Sequence, residues 1–137
     1  VAKKLILSPN GKVAVIRRIR SGNDVPFIYE ESFLPGSMFR EILEMDLTGS
    51  MYQIIHERFN VTLARSDQKI RAVNLKGRIA SYLDVPENSA AFFMESLTYD
   101  ENNVPVELLH SYYRGDKYVF EIELGRYHIE EDRIHHE

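Results

Sequence analysis

Residues 2–36 read AKKLILSPNGKVAVIRRIRSGNDVPFIYEESFLPG, and residues 80–115 read ASYLDVPENSAAFFMESLTYDENNVPVELLHSYYRG. The two stretches align along their whole length with one inserted residue, Glu101, in the second. The identical pairs are Ala2/Ala80, Leu5/Leu83, Asn10/Asn88, Asn23/Asn102, Val25/Val104, Pro26/Pro105, Ser32/Ser111 and Gly36/Gly115. The chain therefore contains an internal repeat, and each copy is predicted to form a short helix, a turn and a β-hairpin.

The repeat and the apolar periodicity together predict an α+β fold. The first hairpin is expected over residues 12–20 and 25–34, and the second over residues 90–99 and 104–113. The remaining predicted elements are a helix over 48–58, a strand over 62–75, a short helix over 77–83 and a last strand over 118–124. Because hairpins outnumber crossovers, we expect an antiparallel sheet with helices on its faces and ends.

Composition and charge limit the classes of protein to which the chain can belong. Its 137 residues are 44% hydrophobic and 28% charged, which is typical of a single globular domain. The formal net charge of −4 and the pI of 5.8 argue against unaided binding to DNA. The sequence holds no cysteine, which excludes disulfides and thiolate metal sites. Neither a membrane span nor an export signal is recognisable, so we expect a cytoplasmic protein without a membrane partner.

Charged residues interrupt the repeat on one face of the predicted strands. Arg18 and Arg20 share one strand face, and Glu30 and Glu107 stand where the other copy has apolar residues. One interpretation is that these side chains face solvent and form ion pairs that contribute little. The other is a binding site, in which two guanidiniums hold a phosphate or carboxylate and two carboxylates accept hydrogen bonds from ligand hydroxyls or an amine. Such a site suits a phosphorylated sugar or amino sugar.

A series of motifs around these residues resembles a known family. The run Arg18-Ile-Arg20-Ser-Gly-Asn-Asp24-Val-Pro26, followed by Glu30-Glu-Ser32-Phe-Leu34-Pro35, is similar to the Arg-x-Arg, turn, Pro, Glu-x-Ser-Tyr-Leu-Pro signature of the UTRA domain. Further matches in order are Asp46-Leu-Thr-Gly-Ser50-Met-Tyr52, residues 65–68, residues 80–86, Thr98-Tyr99-Asp100, Pro105-Val-Glu107 and Tyr113-Arg-Gly-Asp-Lys-Tyr118-x-Phe120. The chain thus resembles, over residues 1–124, the effector-sensing half of HutC-type GntR transcriptional regulators.

The resemblance implies a chorismate-lyase-like α+β fold with about six antiparallel strands, a ligand cleft and a homodimer. It also implies that operator DNA is bound only through a preceding winged-helix domain, and that no cofactor is needed. The first repeat copy lacks the strand that precedes the second, so we expect the N-terminal edge to be truncated. Residues 125–137 are expected to form a polar tail. The effector-contacting positions of the family fall on Arg18, Arg20, Glu30, Ser50, Glu107 and Tyr113.

The sequence leaves other functions open. The Arg and Glu residues could serve a chorismate-lyase-like enzyme acting on a small carboxylate, although no nucleophile or acid and base pair is evident. A bare dimerisation module is a third possibility. His56, His110 and His128 are scattered, which does not predict a metal site. We expect a regulatory sensor rather than an enzyme, with a sugar phosphate or amino-sugar phosphate as the favoured effector.

Overall fold

A computed structural model describes residue 5, residues 12–36 and residues 51–125. Its elements, in chain order, are β1 (Val13–Gly22), β2 (Val25–Pro35), α1 (Met51–Phe59), β3 (Leu63–Asn74), α2 (Gly77–Tyr82), β4 (Ala90–Asp100) and β5 (Pro105–Arg114). The strands form one antiparallel sheet in the order β1, β2, β5, β4, β3. The predicted α+β fold is confirmed. No helix in the described residues is long and apolar enough to cross a membrane.

Both predicted hairpins are present, and their turns use residues that tolerate a left-handed backbone. Asn23 and Asp24 link β1 to β2 with φ of 52° and 64°, so the turn is shorter than the predicted four residues. In the second hairpin, Oδ1 of Asp100 accepts hydrogen bonds from the backbone amides of Asn102 and Val104 at 2.8 and 2.9 Å. Each hairpin is therefore closed by its own local turn chemistry.

The glycine that ends each repeat copy makes the same close backbone approach. The amide of Gly36 donates to the carbonyl of Lys12 at 2.8 Å, and the amide of Gly115 donates to the carbonyl of Ala90 at 2.9 Å. A Cβ atom would lie 2.9 Å from the Lys12 oxygen at Gly36, and 2.7 Å from the Ala90 oxygen at Gly115. Both positions therefore require glycine, and the repeat seen in the sequence is also a repeat in structure.

Replacing Gly115 with alanine should destabilise the fold, because the new Cβ atom would contact rigid backbone at 2.7 Å. Overpacking of this kind costs about 1–3 kcal/mol in free energy of unfolding. Gly125→Ala is the matched control, since a Cβ atom added at Gly125 would have no neighbouring atom within 4 Å among the described residues. Urea denaturation of both variants measures the difference. Equal stability of the two would contradict the close approach at Gly115.

The two helices pack on opposite faces of the sheet. Helix α1 contributes Ile55, which is fully buried, to an apolar cluster whose other buried members are Ala14, Ile16, Leu34, Val61 and Val106. Helix α2 contributes Ala80 to a second cluster, which contains Tyr29, Leu75, Leu83 and Ala91. Ile54 and Phe59 of α1 are partly buried against the first cluster. The first three residues of the predicted helix, 48–50, lie outside the described residues.

The predicted last strand over residues 118–124 is wrong, because the structure has no strand there. The rings of Tyr118 and Phe120 instead pack on Tyr113, with centroid distances of 4.5 and 5.2 Å. Ring packing on a sheet face, rather than backbone pairing with a neighbour, holds this segment. The described residues therefore contain five strands where about six were expected. The predicted first helix falls outside the described residues except for Leu5, which is buried.

Candidate functional site

The register of the sheet brings the predicted charged residues to one face. Arg18 of β1 lies opposite Glu30 of β2, and Glu30 lies opposite Ser111 of β5. Glu107 of β5 lies opposite Thr98 of β4. Because strand side chains alternate, these residues share a face with Arg20. We call this the polar face, and the predicted grouping of Arg18, Arg20, Glu30 and Glu107 is present on it.

Glu30 joins the two arginines. Its Oε1 atom accepts hydrogen bonds from Nη2 of Arg18 at 3.4 Å and from Nε of Arg20 at 3.2 Å. Glu30 is only 9% exposed, whereas the Arg20 side chain is about half exposed. Glu30 is therefore not the solvent-facing charge that one interpretation of the sequence suggested. Its carboxylate balances two guanidinium groups, of which that of Arg20 is much the more exposed.

Glu107 is the most deeply buried charged residue among those the structure describes, at 1% exposure. Ser32 Oγ donates a hydrogen bond to its Oε2 at 2.5 Å, and the Tyr52 hydroxyl donates to its Oε1 at 2.8 Å. Burial raises the pKa of Glu107, and these two hydrogen bonds oppose that rise. The carboxyl is thus fixed in position by donors from a neighbouring strand and from α1.

Sequence reasoning missed both partners of Glu107. Tyr52 lies in the first turn of α1, and its ring reaches across to β5. The signal that could have found it is its position in the quoted Asp46 to Tyr52 motif, next to the predicted site residue Ser50. Ser32 is one of the repeat identities, and it is buried like its counterpart Ser111. Ser50 itself lies outside the described residues.

Hydroxyl groups on β5, β4 and β3 continue the polar face beyond the charged residues. Ser96 and Ser66 are linked through their Oγ atoms at 2.7 Å, and Thr98 Oγ1 donates to Ser66 at 3.4 Å. Ser111 is fully buried, and among the residues described its Oγ makes no hydrogen bond of ordinary geometry, although the Tyr113 hydroxyl on the same face interacts with it. A buried hydroxyl without a well-formed hydrogen bond is costly, so this position favours a polar ligand atom or a water nearby.

Tyr113 forms the aromatic end of the polar face. It is 8% exposed, lies opposite Ile28 of β2, and packs against Tyr118 and Phe120. Burial raises the pKa of its hydroxyl, so the tyrosine stays neutral and can donate a hydrogen bond at neutral pH. The polar face therefore runs from these rings at one end to Tyr52 of α1 at the other.

This arrangement is chemically suited to binding an anion with a polar body. The guanidiniums of Arg18 and Arg20 can bind phosphate or carboxylate oxygens, while Glu107 and the hydroxyl groups offer sites for sugar-like hydroxyls. No group of three or more potential metal-ligating side chains occurs in the described part of the chain.

The pH dependence of stability should report the environment of Glu107. A carboxyl whose pKa is raised on folding binds its proton more tightly when folded, so its contribution to stability falls as pH rises above 4.5, the ordinary pKa of the group. Relative to Glu107→Gln, the parent should lose about 1.4 kcal/mol of stability for each pH unit between the unfolded pKa and the raised folded pKa. Urea denaturation at a series of pH values from about 4 upward measures this loss. A pH-independent difference would contradict the assignment.

The sequence matches a known protein family. The UTRA domain family matches residues 1–119. Over 105 residues the chain is 28% identical to the HTH-type transcriptional repressor NagR of Bacillus subtilis strain 168, covering 77% of this chain and 43% of NagR. The chain therefore spans less than half the length of this relative.

Solved structures agree with this match. A GntR-family transcriptional regulator from Enterococcus faecalis V583 superposes with a TM-score of 0.83 at 28% identity, covering 90% of this chain and 88% of that one. The effector domain of PhnF from Mycobacterium smegmatis has the same fold, with a TM-score of 0.86 at 24% identity, covering 91% of this chain and 77% of that one. The chain belongs to the UTRA domain family.

Proposed function

We propose that this chain is the ligand-sensing and dimerisation domain of a HutC-type GntR regulator acting in the bacterial cytoplasm. Its effector is a small anionic metabolite, with a sugar phosphate or amino-sugar phosphate favoured. The observation that carries the proposal is the pairing of Arg18 and Arg20 with the buried Glu30 on the polar face. Effector binding changes operator affinity by favouring one conformation of the whole regulator over another.

The anionic end of the effector is held by the two arginines. Arg18 and Arg20 stand two residues apart on one strand face, and both point at a single carboxylate oxygen of Glu30. A phosphate placed at their exposed side adds charge-assisted hydrogen bonds without removing Glu30. The carboxylate keeps the guanidiniums oriented before the ligand arrives, which lowers the ordering cost of binding.

The remaining residues of the proposed site bind the polar body of the effector through hydrogen bonds. Glu107 is fixed by Ser32 and Tyr52, so it can accept a hydrogen bond only from a ligand group that reaches its fixed position. Tyr113 and the Ser111 hydroxyl, which makes no hydrogen bond of ordinary geometry among the described residues, add further groups on the same face. Ser50, named by the family resemblance, completes the proposed set.

A thermal-shift screen tests this function. Sugar phosphates, amino-sugar phosphates, simple carboxylates and inorganic phosphate are each added to the chain, and the melting temperature is recorded. We expect a phosphorylated sugar to raise it more than inorganic phosphate or the unphosphorylated sugar does. The same mixtures, with chorismate included, are analysed for product by mass spectrometry. Turnover of any of them would favour the enzyme alternative, and no stabilisation by any compound would favour a bare dimerisation module.

We also propose that the chain forms a homodimer and does not bind operator DNA by itself. Dimeric regulators match operators with two-fold symmetry, and a net charge of −4 supplies no field that attracts DNA. Light scattering should give twice the chain mass of 16.0 kDa. A mass of one chain at micromolar concentration would refute the dimer, and a sequence-specific gel shift would refute the need for a separate DNA-binding domain.

A further inference from the structure

Strand β2 carries an extra residue, Phe27, next to the turn of the first hairpin. The pairing of β1 with β2 shifts register between Arg20 and Ser21, which leaves Phe27 without a partner across the ladder. A β-bulge of this kind changes the face to which a side chain points. By alternation Phe27 would lie on the opposite face from Ile28, yet it packs against the apolar cluster around Tyr113 on the polar face.

The second hairpin has the same bulge at the equivalent residue of the repeat, Val106. The pairing of β4 with β5 shifts register between Thr98 and Tyr99, which leaves Val106 unpaired. Val106 is fully buried in the cluster that also contains Ile55 of α1. In this half of the repeat, a helix therefore helps to cover the residue that the bulge places on the polar face.

In the first half of the repeat, the structure has a cleft of about 330 Å³ beside Phe27. We call it the turn cleft, and the described residues that line it are Gly22, Asn23, Val25, Phe27, Lys117 and Tyr118. Its volume lies at the lower end of the range for small-molecule pockets, which is about 300–1,000 Å³. The turn cleft therefore suits one substituent of a ligand, such as a short acyl chain or a ring.

The turn cleft adjoins the proposed effector site. The ring of Tyr118, which lines the cleft, packs on Tyr113 at a centroid distance of 4.5 Å. Arg20 stands two residues before Gly22 on β1, which is a separation of about 6.6 Å along a strand. One small molecule can therefore place an anionic group at the arginines and a second group in the turn cleft.

An apolar group gains most from the turn cleft. Val25 is 37% exposed, and the rings of Phe27 and Tyr118 are only partly buried. A ligand group that covers these three side chains removes apolar surface from water, which favours binding. Sugar hydroxyls would gain less, because among the lining side chains only Asn23, Lys117 and the Tyr118 hydroxyl offer hydrogen bonds.

We propose that the turn cleft is an accessory subsite for an apolar substituent of the effector whose anionic group lies at Arg18 and Arg20. The effector is then an amphiphilic anion, with its phosphate or carboxylate at one end and an acyl chain or ring at the other. This inference rests on the proposed function. It adds the part of the ligand that distinguishes between effectors with the same anionic group.

A series of alkyl phosphates tests the subsite, because its members share one anion and differ only in the length of the apolar chain. Methyl, n-butyl and n-hexyl phosphate are each titrated into the protein and followed by calorimetry. We expect n-hexyl phosphate to bind at least about tenfold more tightly than methyl phosphate, since each buried methylene adds to affinity. In Arg18→Ala/Arg20→Ala all three should bind much more weakly, because the shared anion loses its cations.

Filling the turn cleft provides the matched comparison. Val25→Trp should bring the affinities for n-hexyl and methyl phosphate to within about threefold of each other, because the indole ring takes the place of the alkyl chain. Val104→Trp is the control, since Val104 is the repeat counterpart of Val25, is 44% exposed and does not line the cleft. Val25→Ala removes apolar wall without adding bulk and should reduce the preference in part. Melting temperatures show whether each variant is folded.

The outcomes separate the subsite from the proposed function. Equal affinity of the parent for methyl and n-hexyl phosphate, or a preference that survives Val25→Trp, overturns the subsite and means that something other than an effector covers the turn cleft. The proposed function then still stands if a sugar phosphate stabilises the chain in the thermal-shift screen. Undiminished binding of n-hexyl phosphate to the double arginine variant also overturns the proposal, because the two groups would not belong to one ligand. Failure of every alkyl phosphate to bind overturns the subsite, and failure of every sugar phosphate as well overturns both.

Discussion

Leu34→Ala is expected to lower the free energy of unfolding by about 2–5 kcal/mol, the range for truncating a fully buried leucine. Leu34 has no exposed surface and lies in the apolar cluster that joins β1 and β2 to α1. The cavity would open in the cluster that also contains Ile55 of α1, which is fully buried as well. Because α1 delivers Tyr52 to Glu107, the variant should also weaken that hydrogen bond. Urea denaturation measures the loss, with an unchanged m-value showing that two-state unfolding persists.

Ile19→Ala is the control for Leu34→Ala. Ile19 is 47% exposed on β1, so its truncation should change stability by less than about 0.5 kcal/mol. Equal losses in the two variants would mean that the cluster around Leu34 does not hold the sheet to α1. The distinction matters for the site, because a loosened α1 would reduce effector binding without touching any arginine.

The hairpins could be predicted from sequence because their determinants are local. Asn23 and Asp24 tolerate positive φ, and the alternating runs on either side fix which residues share a face. Residues 118–124 carry the same alternating pattern, yet they form no strand in the single chain. An alternating apolar pattern predicts that a segment can form a strand, but it does not determine which other strand would pair with it. That neighbour depends on tertiary or quaternary packing, which no local pattern encodes.

The sequence predicted which charged residues share the site's face, but it did not predict their hydrogen-bond partners. Strand parity and the repeat placed Arg18, Arg20, Glu30 and Glu107 on one face, and the register agrees. The pairing partners were not predictable in this way. Glu30 accepts hydrogen bonds from both arginines because of the way β1 and β2 align. The hydrogen bond from Tyr52 to Glu107 depends on where α1 packs against the sheet. Such contacts depend on how strands and helices pack together, whereas the face on which a strand residue lies follows from the two-residue period of the strand alone.

Replacing both Arg18 and Arg20 should have the largest effect on effector binding. Charge-assisted hydrogen bonds contribute about 1.5–3 kcal/mol each, so Arg20→Ala alone should weaken binding about tenfold to a hundredfold. The double variant Arg18→Ala/Arg20→Ala should weaken it by more than about a hundredfold, with incomplete additivity because both groups share Glu30. Calorimetry with the compound that stabilises the parent most in the thermal-shift screen measures this.

The controls separate lost binding from lost folding. Arg17→Ala removes the same charge one residue away, but Arg17 pairs with Glu31 on the opposite face, so binding should be unchanged. The double variant leaves the nearly buried Glu30 carboxylate without these two cations, which costs stability. Adding Glu30→Gln removes that uncompensated charge and should restore the melting temperature without restoring binding. A triple variant that is stable and binds as tightly as the parent would show that the anion is held elsewhere.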